Sequence, residues 1–284
     1  MIGYFNGEFV PESEIKISPF DRGFLFADGV YEVIRYYHDH FFLTDEHLRR
    51  MRHGLQQLRI TPPDLEEFKI IIQRLIQANN LHDLDVLAYI QVTRGVRKPR
   101  THFFPTEKTA PTVLILTSVF QRHQQEIDNG VKVILQPDTR WRCCDIKSIA
   151  LLPNVLARQN AVDANAAEAV FVRDGMITEG THTNFCAVKN GTMWTPPLSN
   201  FILAGVTRNL VLDICRKLSI SVREDVIKER ELETFDEYFL VGTTVEITPI
   251  IQIDDRKIAE GKPGAITRAI QTDFFESIKR HPEI

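Results

Sequence analysis

Apolar residues recur at two spacings along this chain, and the two alternate with one another from end to end. Leu48, Met51, Leu55 and Leu58 repeat at helical spacing, which predicts a helix with Thr44 and Asp45 as its cap. A second helix is expected over residues 64–80, a third opens in 151–161, and Leu210, Val211, Ile214 and Leu218 mark the face of a fourth. A last helix follows Pro263. Strand-length runs fill most of the rest. Residues 86–93 and 112–116 are dense in β-branched and apolar side chains, as central strands of one sheet would be. Asn6-Gly7, Asp174-Gly175 and Asn190-Gly191 sit between short apolar segments and predict hairpins. Residues 33–37 and 41–43 flank His38-Asp39-His40 as a further hairpin, and 250–258 reads as another. Residues 131–135 and 238–244 read as strands, and 15–18 alternates as one more short strand. Residues 20–32 read as a turn-rich connector. No internal repeat or low-complexity segment interrupts this order.

The stretch 118–129 is polar and poor in strand formers, so a break between domains is expected there. The predicted organisation is a small N-terminal α/β domain over 1–120, a linker at 121–129 and a larger domain over 130–284. With 284 residues, 43% hydrophobic and 25% charged, the composition is that of a globular enzyme-sized protein. A net charge of −4 without a long basic run argues against a nucleic-acid partner. No basic segment followed by an apolar run opens the chain, so no signal peptide is expected, and the longest apolar runs have strand length. The four cysteines show no Cys-x-x-Cys spacing. Reduced thiols in a cytoplasmic protein are expected, and no metal site. The histidines at 38 and 40 lack a third ligand.

Against this background Lys147 stands out. It follows an extended segment and precedes a helix, and its neighbours Ile146, Ile149, Leu151 and Leu152 are apolar, which suggests a lysine pointing from a buried wall into a cavity. Glu179 ends the second strand of the Asp174-Gly175 hairpin. Gly205 and Thr207 lie where the fourth helix begins, with Thr207 able to cap it, and the free amides of a helix start bind phosphate well. Thr243-Thr244 closes a buried strand and suits the same purpose. Arg50 lies off the apolar stripe of its helix, either as a surface arginine or as a guanidinium fork for phosphate. Between the two dense strands, Arg94, Arg97, Lys98, Arg100 and His102 concentrate positive charge around Pro99 in a chain that is net acidic, which suits capture of an anion.

The segments Asp28-Gly29-Val30-Tyr31-Glu32, His47-Leu48-Arg49-Arg50, Asp145-Ile146-Lys147-Ser148 and Thr178-Glu179-Gly180 together resemble the fold-type IV pyridoxal-phosphate enzymes. That family includes the D-amino-acid and branched-chain aminotransferases and aminodeoxychorismate lyase. The matching segments recur from Asn6 to Pro249. The resemblance implies a two-domain α/β (α+β) fold whose larger domain has a β-barrel-like core. It also implies pyridoxal 5′-phosphate as cofactor, carried on Lys147 as a Schiff base. In that reading Glu179 faces the pyridine nitrogen and Leu203 packs against the ring. Arg50, Val206, Thr207, Thr243 and Thr244 hold the phosphate. Lys147 then moves a proton during transamination, with pyridoxamine phosphate carrying the amino group to a 2-oxo acid.

Arg100-Thr101-His102 is similar to the Arg-x-His of the D-amino-acid aminotransferases, which with a tyrosine, here Tyr31, grips the substrate carboxylate. In those homodimers the arginine and histidine reach across from the neighbouring subunit, which places the active site at the subunit interface. The resemblance therefore implies a D-amino-acid aminotransferase, with D-alanine among its substrates. The alternatives are a branched-chain or (R)-amine transaminase, or a carbon–carbon lyase of the aminodeoxychorismate type. Two departures stand out: Thr181-His182-Thr183 replaces a cluster of small hydroxyl residues, and the stretch Val96-Arg97-Lys98 is longer than usual.

Overall fold

The computed structural model describes residues 1–106 and 109–280. The chain divides into two compact units. The first comprises Met1–Gln121 and the short return Ile146–Ala150; the second comprises Arg122–Asp145 and Leu151–Arg280.

The first unit is built on strands β1 (Ile2–Phe5) and β2 (Glu8–Pro11), helix α1 (Arg22–Phe26), strands β3 (Gly29–Tyr37) and β4 (His40–Phe42), helices α2 (Thr44–Gln57) and α3 (Glu67–Ala78), and strands β5 (Val86–Thr93) and β6 (Thr112–Val119). The six strands form one antiparallel sheet in the order β2-β1-β6-β5-β3-β4. Alternation along β5 sends Val86, Ala88, Ile90 and Val92 to one face, where they meet Leu48, Met51 and Leu55 of α2 and Phe68, Ile72 and Leu75 of α3. That shared core is why the helical spacing at 48–58 was legible. Asn79 fastens the end of α3 to the sheet, taking the Ile2 amide on Oδ1 and donating from Nδ2 to the Ile2 carbonyl and Thr117 Oγ1.

Three expectations change here. Residues 15–18 form no strand: a short 3-10 turn, Glu12–Glu14, leads the chain away after Pro11, and Ile17 is exposed. Residues 22–26 are helical, because Asp21 caps the Gly23 amide and supplies the local signal that only a five-residue helix can use. Helix α2 is capped by Leu43 in a left-handed conformation (φ 57°), and Thr44 is its first helical residue.

The second unit contains helix α4 (Gln124–Asn129), strand β7 (Val131–Pro137), helix α5 (Leu152–Asp163), strands β8 (Glu168–Arg173), β9 (Met176–Gly180), β10 (Asn184–Lys189) and β11 (Thr192–Thr195), helix α6 (Val206–Lys217), strands β12 (Val222–Glu224), β13 (Glu237–Gly242), β14 (Glu246–Ile253) and β15 (Arg256–Lys257), and helix α7 (Ala265–Arg280). Nine strands make a mixed sheet, in the order β12-β11-β10-β13-β14-β7-β8-β9 with β15 paired to β14. The sheet curls until β9 returns beside β10, where the Gly180 amide donates to the Thr183 carbonyl (2.8 Å). Val133, Val170, Ile177, Phe185, Leu240 and Ile250 fill the core under that curl.

The stretch expected as a linker holds α4, whose Ile127 is buried. Helix α5 buries the small side chains Ala157 and Ala161 against Ile134 and Phe171, while Leu152, Val155, Leu156 and Val162 are exposed. Leu152 is thus no part of a buried wall around Lys147. Thr207 lies inside α6 and does not cap it; Gly205 is the cap and no side chain covers that end.

Candidate active site

In the first unit the return segment lies along the start of β3. Tyr31 donates its amide to the Lys147 carbonyl (3.0 Å), Ile149 donates to the Gly29 carbonyl (3.2 Å), and Val30 bridges to Ser148. This places the Lys147 ammonium 4.3 Å from the centre of the Tyr31 ring. Tyr31 leans in turn on Tyr89 (5.9 Å), whose phenol burial pushes up to about 12.

One residue after Tyr31, Glu32 is wholly buried and gathers two groups from α2. Arg50 binds it through Nε to Oε1 (2.7 Å) and Nη2 to Oε2 (2.8 Å), and His47 Nδ1 lies 2.8 Å from Oε2. Burial opposes the charge on Glu32, yet the Arg50 guanidinium and its hydrogen bonds hold the carboxyl down at about 2. Burial lowers the His47 pKa, so the neutral ring donates its Nδ1 proton to Glu32. His47 and Arg50 share a face because they stand three residues apart on a helix. The sequence flagged Arg50 but gave Glu32 no role; the Glu that ends Asp-Gly-Val-Tyr-Glu was the available signal.

Arg100 and His102 are exposed and both approach one aromatic side chain. The Arg100 guanidinium lies 4.4 Å from the Phe26 ring centre and the His102 ring lies 5.4 Å from it. Arg94, grouped with them as positive charge suited to an anion, is instead buried and committed to protein: it forks onto Asp28 and donates to the carbonyls of Leu58 and Arg59.

In the second unit the centre is Glu179, buried at the end of β9. Arg140 Nη1 donates to Oε1 (2.5 Å), while Asn184 Nδ2 and the Leu203 amide donate to Oε2 (both 3.0 Å). Arg140 is itself fixed by Asp138 through Nε and Nη2, by the Phe201 carbonyl, and by stacking over Phe171. Although burial works against its charge, the two carboxylates raise its pKa further.

Asn184 ties this carboxylate to the start of α6. Its Nδ2 also donates to the Leu203 carbonyl, and its Oδ1 lies 1.9 Å from where a Cβ on residue 205 would stand, so only glycine fits there. Val206 and Thr207 then supply the first amides of α6, with no side-chain cap. Asn184 pairs with Val241 of β13, which ends in the turn bearing Thr243 and Thr244. Across the same turn, the His182 carbonyl faces Gly242. Asn184, a residue the sequence reading left without a role, thus links Glu179, Leu203 and Gly205, with Val206 and Thr207 next along α6 and Thr243-Thr244 following the strand it pairs with. His182 is partly exposed, with Nδ1 2.9 Å from the buried Glu168. Burial works against charge on Glu168, but His182 and the Thr181 hydroxyl hold it down at about 2.

A model of the amino-transferase class IV family matches residues 29–253. The D-alanine aminotransferase of Staphylococcus epidermidis is 38% identical over 279 residues, covering 98% of both chains. That of Bacillus licheniformis is 39% identical over 275 residues, covering 96% of both. The chain belongs to the class IV aminotransferases. Among solved structures of the same fold, the branched-chain amino acid aminotransferase of Escherichia coli superposes with a TM-score of 0.88 at 26% identity, covering 97% of this chain and 93% of that one. The branched-chain aminotransferase of Thermoproteus uzoniensis, crystallised with norvaline, gives 0.87 at 26% identity over 100% and 96% of the two chains.

Set against this family, the donor set fits pyridoxal phosphate. An uncapped helix start and a threonine-bearing turn each suit a phosphate, a buried carboxylate fixed by Arg140, Asn184 and the Leu203 amide suits a pyridine nitrogen, and, in the first unit, a lysine half-buried against Tyr31 suits an aldehyde. Among the described residues no group of histidine, cysteine or acidic side chains could hold a metal ion, and no helix is long and apolar enough to cross a membrane.

Proposed function

We propose that this class IV aminotransferase moves the amino group of a D-amino acid, D-alanine among them, to a 2-oxo acid, using pyridoxal phosphate. Bound, that cofactor supplies an electron-withdrawing ring that stabilises negative charge on the substrate α-carbon. Lys147 Nζ is the group that would carry the cofactor through its aldehyde and, as a free amine, would serve as the base that moves the substrate α-proton. Glu179, fixed in its mesh of donors, would face the pyridine nitrogen and hold its proton. The amides of Val206 and Thr207, the Thr243-Thr244 turn and Arg50 hold the phosphate, and Leu203 covers the ring. Tyr31, Arg100 and His102 bind the substrate carboxylate.

The presentation of Arg100 and His102 against the same ring, Phe26, carries the D-amino-acid reading, because it puts two donors for one carboxylate on a single exposed loop. The likeness to D-alanine aminotransferases over 96–98% of their length supports it. The branched-chain neighbours keep a second reading in view, in which Arg100 and His102 are idle. A homodimer with its active site at the subunit interface is part of the proposal. The exposed stripe Leu152, Val155, Leu156 and Val162 on α5 supports burial against a second copy. Four free cysteines support a reducing, cytoplasmic setting.

The test is to add D-alanine, L-leucine, a primary amine and aminodeoxychorismate separately to the holoenzyme and follow cofactor absorbance. D-Alanine should react fastest; a faster reaction with L-leucine would put the branched-chain reading first. Arg100→Leu should lower kcat/KM for D-alanine by roughly ten- to a hundredfold, the worth of one charge-assisted hydrogen bond. Sedimentation should find a dimer, and Val155→Glu should weaken it.

A further inference from the structure

Helix α1 carries Arg22, a buried cation with no part in the roles above. Its guanidinium reaches three successive carbonyls of the loop that bears Arg100 and His102. Nη1 donates to the Thr101 carbonyl (2.7 Å) and more distantly to that of Phe103 (3.5 Å), and Nη2 donates to the His102 carbonyl (3.4 Å). Nε donates to Asp28 Oδ2 (2.8 Å), the carboxylate that Arg94 grips from the other side. Burial resists the charge on Asp28, but the two guanidinium groups hold its carboxyl below the ordinary range. One turn further along α1, Phe26 stands against both Arg100 and His102.

The helix itself has no freedom to slide. Asp21 at its start accepts from Thr93 Oγ1 and Thr112 Oγ1, and a Cβ on Gly23 would stand 2.3 Å from Thr93 Cγ2. Arg22 and Phe26 are therefore held at the ends of the central strands β5 and β6, and they in turn hold an exposed loop by its backbone and by two of its side chains.

We infer that Arg22 is a positioning residue for substrate recognition: by gathering the carbonyls of residues 101–103 it aims Arg100 and His102 before any substrate arrives. This rests on the reading of Arg100 and His102 as the carboxylate-binding pair. A guanidinium suits the task because its fork offers donors in several directions at once. A lysine in its place keeps a charge beside Asp28 and loses the span. Preformed donors spare the substrate the cost of ordering the loop, so the effect belongs in binding and not in the chemical step.

The test uses the holoenzyme with Arg22→Lys and Arg22→Met. Each should raise the apparent KM for D-alanine about tenfold and leave kcat within about threefold. Calorimetric binding of propanoate, a carboxylate without an amino group, should weaken about tenfold as well. The cofactor absorbance and melting temperature of Arg22→Lys should match the parent enzyme. Unchanged KM and propanoate binding in Arg22→Lys would overturn the inference. So would a fall in kcat, cofactor retention and melting temperature together, which marks a merely structural brace. Should Arg22→Met not fold, Arg22→Lys decides. Arg100→Leu, measured alongside, separates the two levels. If it loses D-alanine specificity while Arg22→Lys does not, only the positioning role fails. If Arg100→Leu changes nothing, the carboxylate reading fails and the inference with it.

Discussion

In the first unit a buried carboxylate, Glu32, holds an arginine in place; in the second a buried arginine, Arg140, holds a carboxylate. The pairs are alike in chemistry and opposite in direction. Glu32 is wholly enclosed and Arg50 is the outer partner, with its side chain 12% exposed. Arg140 is committed to Asp138, the Phe201 carbonyl and the Phe171 ring, and Glu179 collects further donors from Asn184 and Leu203. An ion pair by itself does not say which member meets the ligand. The partners beyond the pair show how each is fixed: Arg50 is the more exposed member of its pair, whereas Arg140 and Glu179 are both buried and both meshed with protein.

Removing the inner member should cost most in the second unit. Arg140→Met strands Glu179 and deprives Asp138 of a partner, and breaking a buried pair costs about 3–5 kcal/mol. The urea midpoint should fall accordingly; a midpoint near that of the parent would mean that Arg140 does not hold the mesh together. In the first unit the corresponding dependence is on acid. Glu32 is held at about 2 against an ordinary 4.5, so its contribution is complete above about pH 4.5 and is lost as pH falls toward 2. The buried, neutral His47 adds to the loss in acid, since the unfolded chain binds its proton more readily. The shift corresponds to something on the order of 3 kcal/mol. Urea unfolding of the parent and Glu32→Gln at several pH values should therefore converge in acid, and a constant gap from neutral pH downward would break the parallel. The smallest change in stability is expected where a substitution keeps the shape of the mesh. Glu179→Gln keeps Asn184 and Leu203 in reach and removes the charge, so turnover should drop roughly a hundredfold or more while the fold persists. Unaltered turnover would assign the pyridine nitrogen to another residue.

Much of the architecture was legible because it is local. Leu48, Met51 and Leu55 advertise α2, and Asp174-Gly175 and Asn190-Gly191 advertise their hairpins, since each pattern is completed within a few residues. The helix at 22–26 escaped notice because a single turn leaves almost no periodicity, and residues 15–18 misled because three alternations need no sheet to exist. At the candidate site Lys147 and Glu179 drew attention through their sequence context. Their supports did not. Arg140 meets Glu179 from 39 residues away, and Arg22 reaches His102 from 80, so no window on the chain contains both partners. Asn184 ended the motif in plain view, but its tie between Glu179 and Gly205 exists only after β10 and α6 are packed.

The return of Ile146–Ala150 to the first unit bears on how the protein is made. All six strands of that unit have been synthesised once Val119 is added, yet the segment that lies along Gly29 and Tyr31 has still to be made. The sheet can therefore form early, but the strip beside Tyr31 stays open until the chain has passed through β7 and come back. A fragment stopped at Gln121 would keep the sheet and lack the lysine, and a circular permutant cut near residue 121 would have to make that closure from the opposite end of its chain.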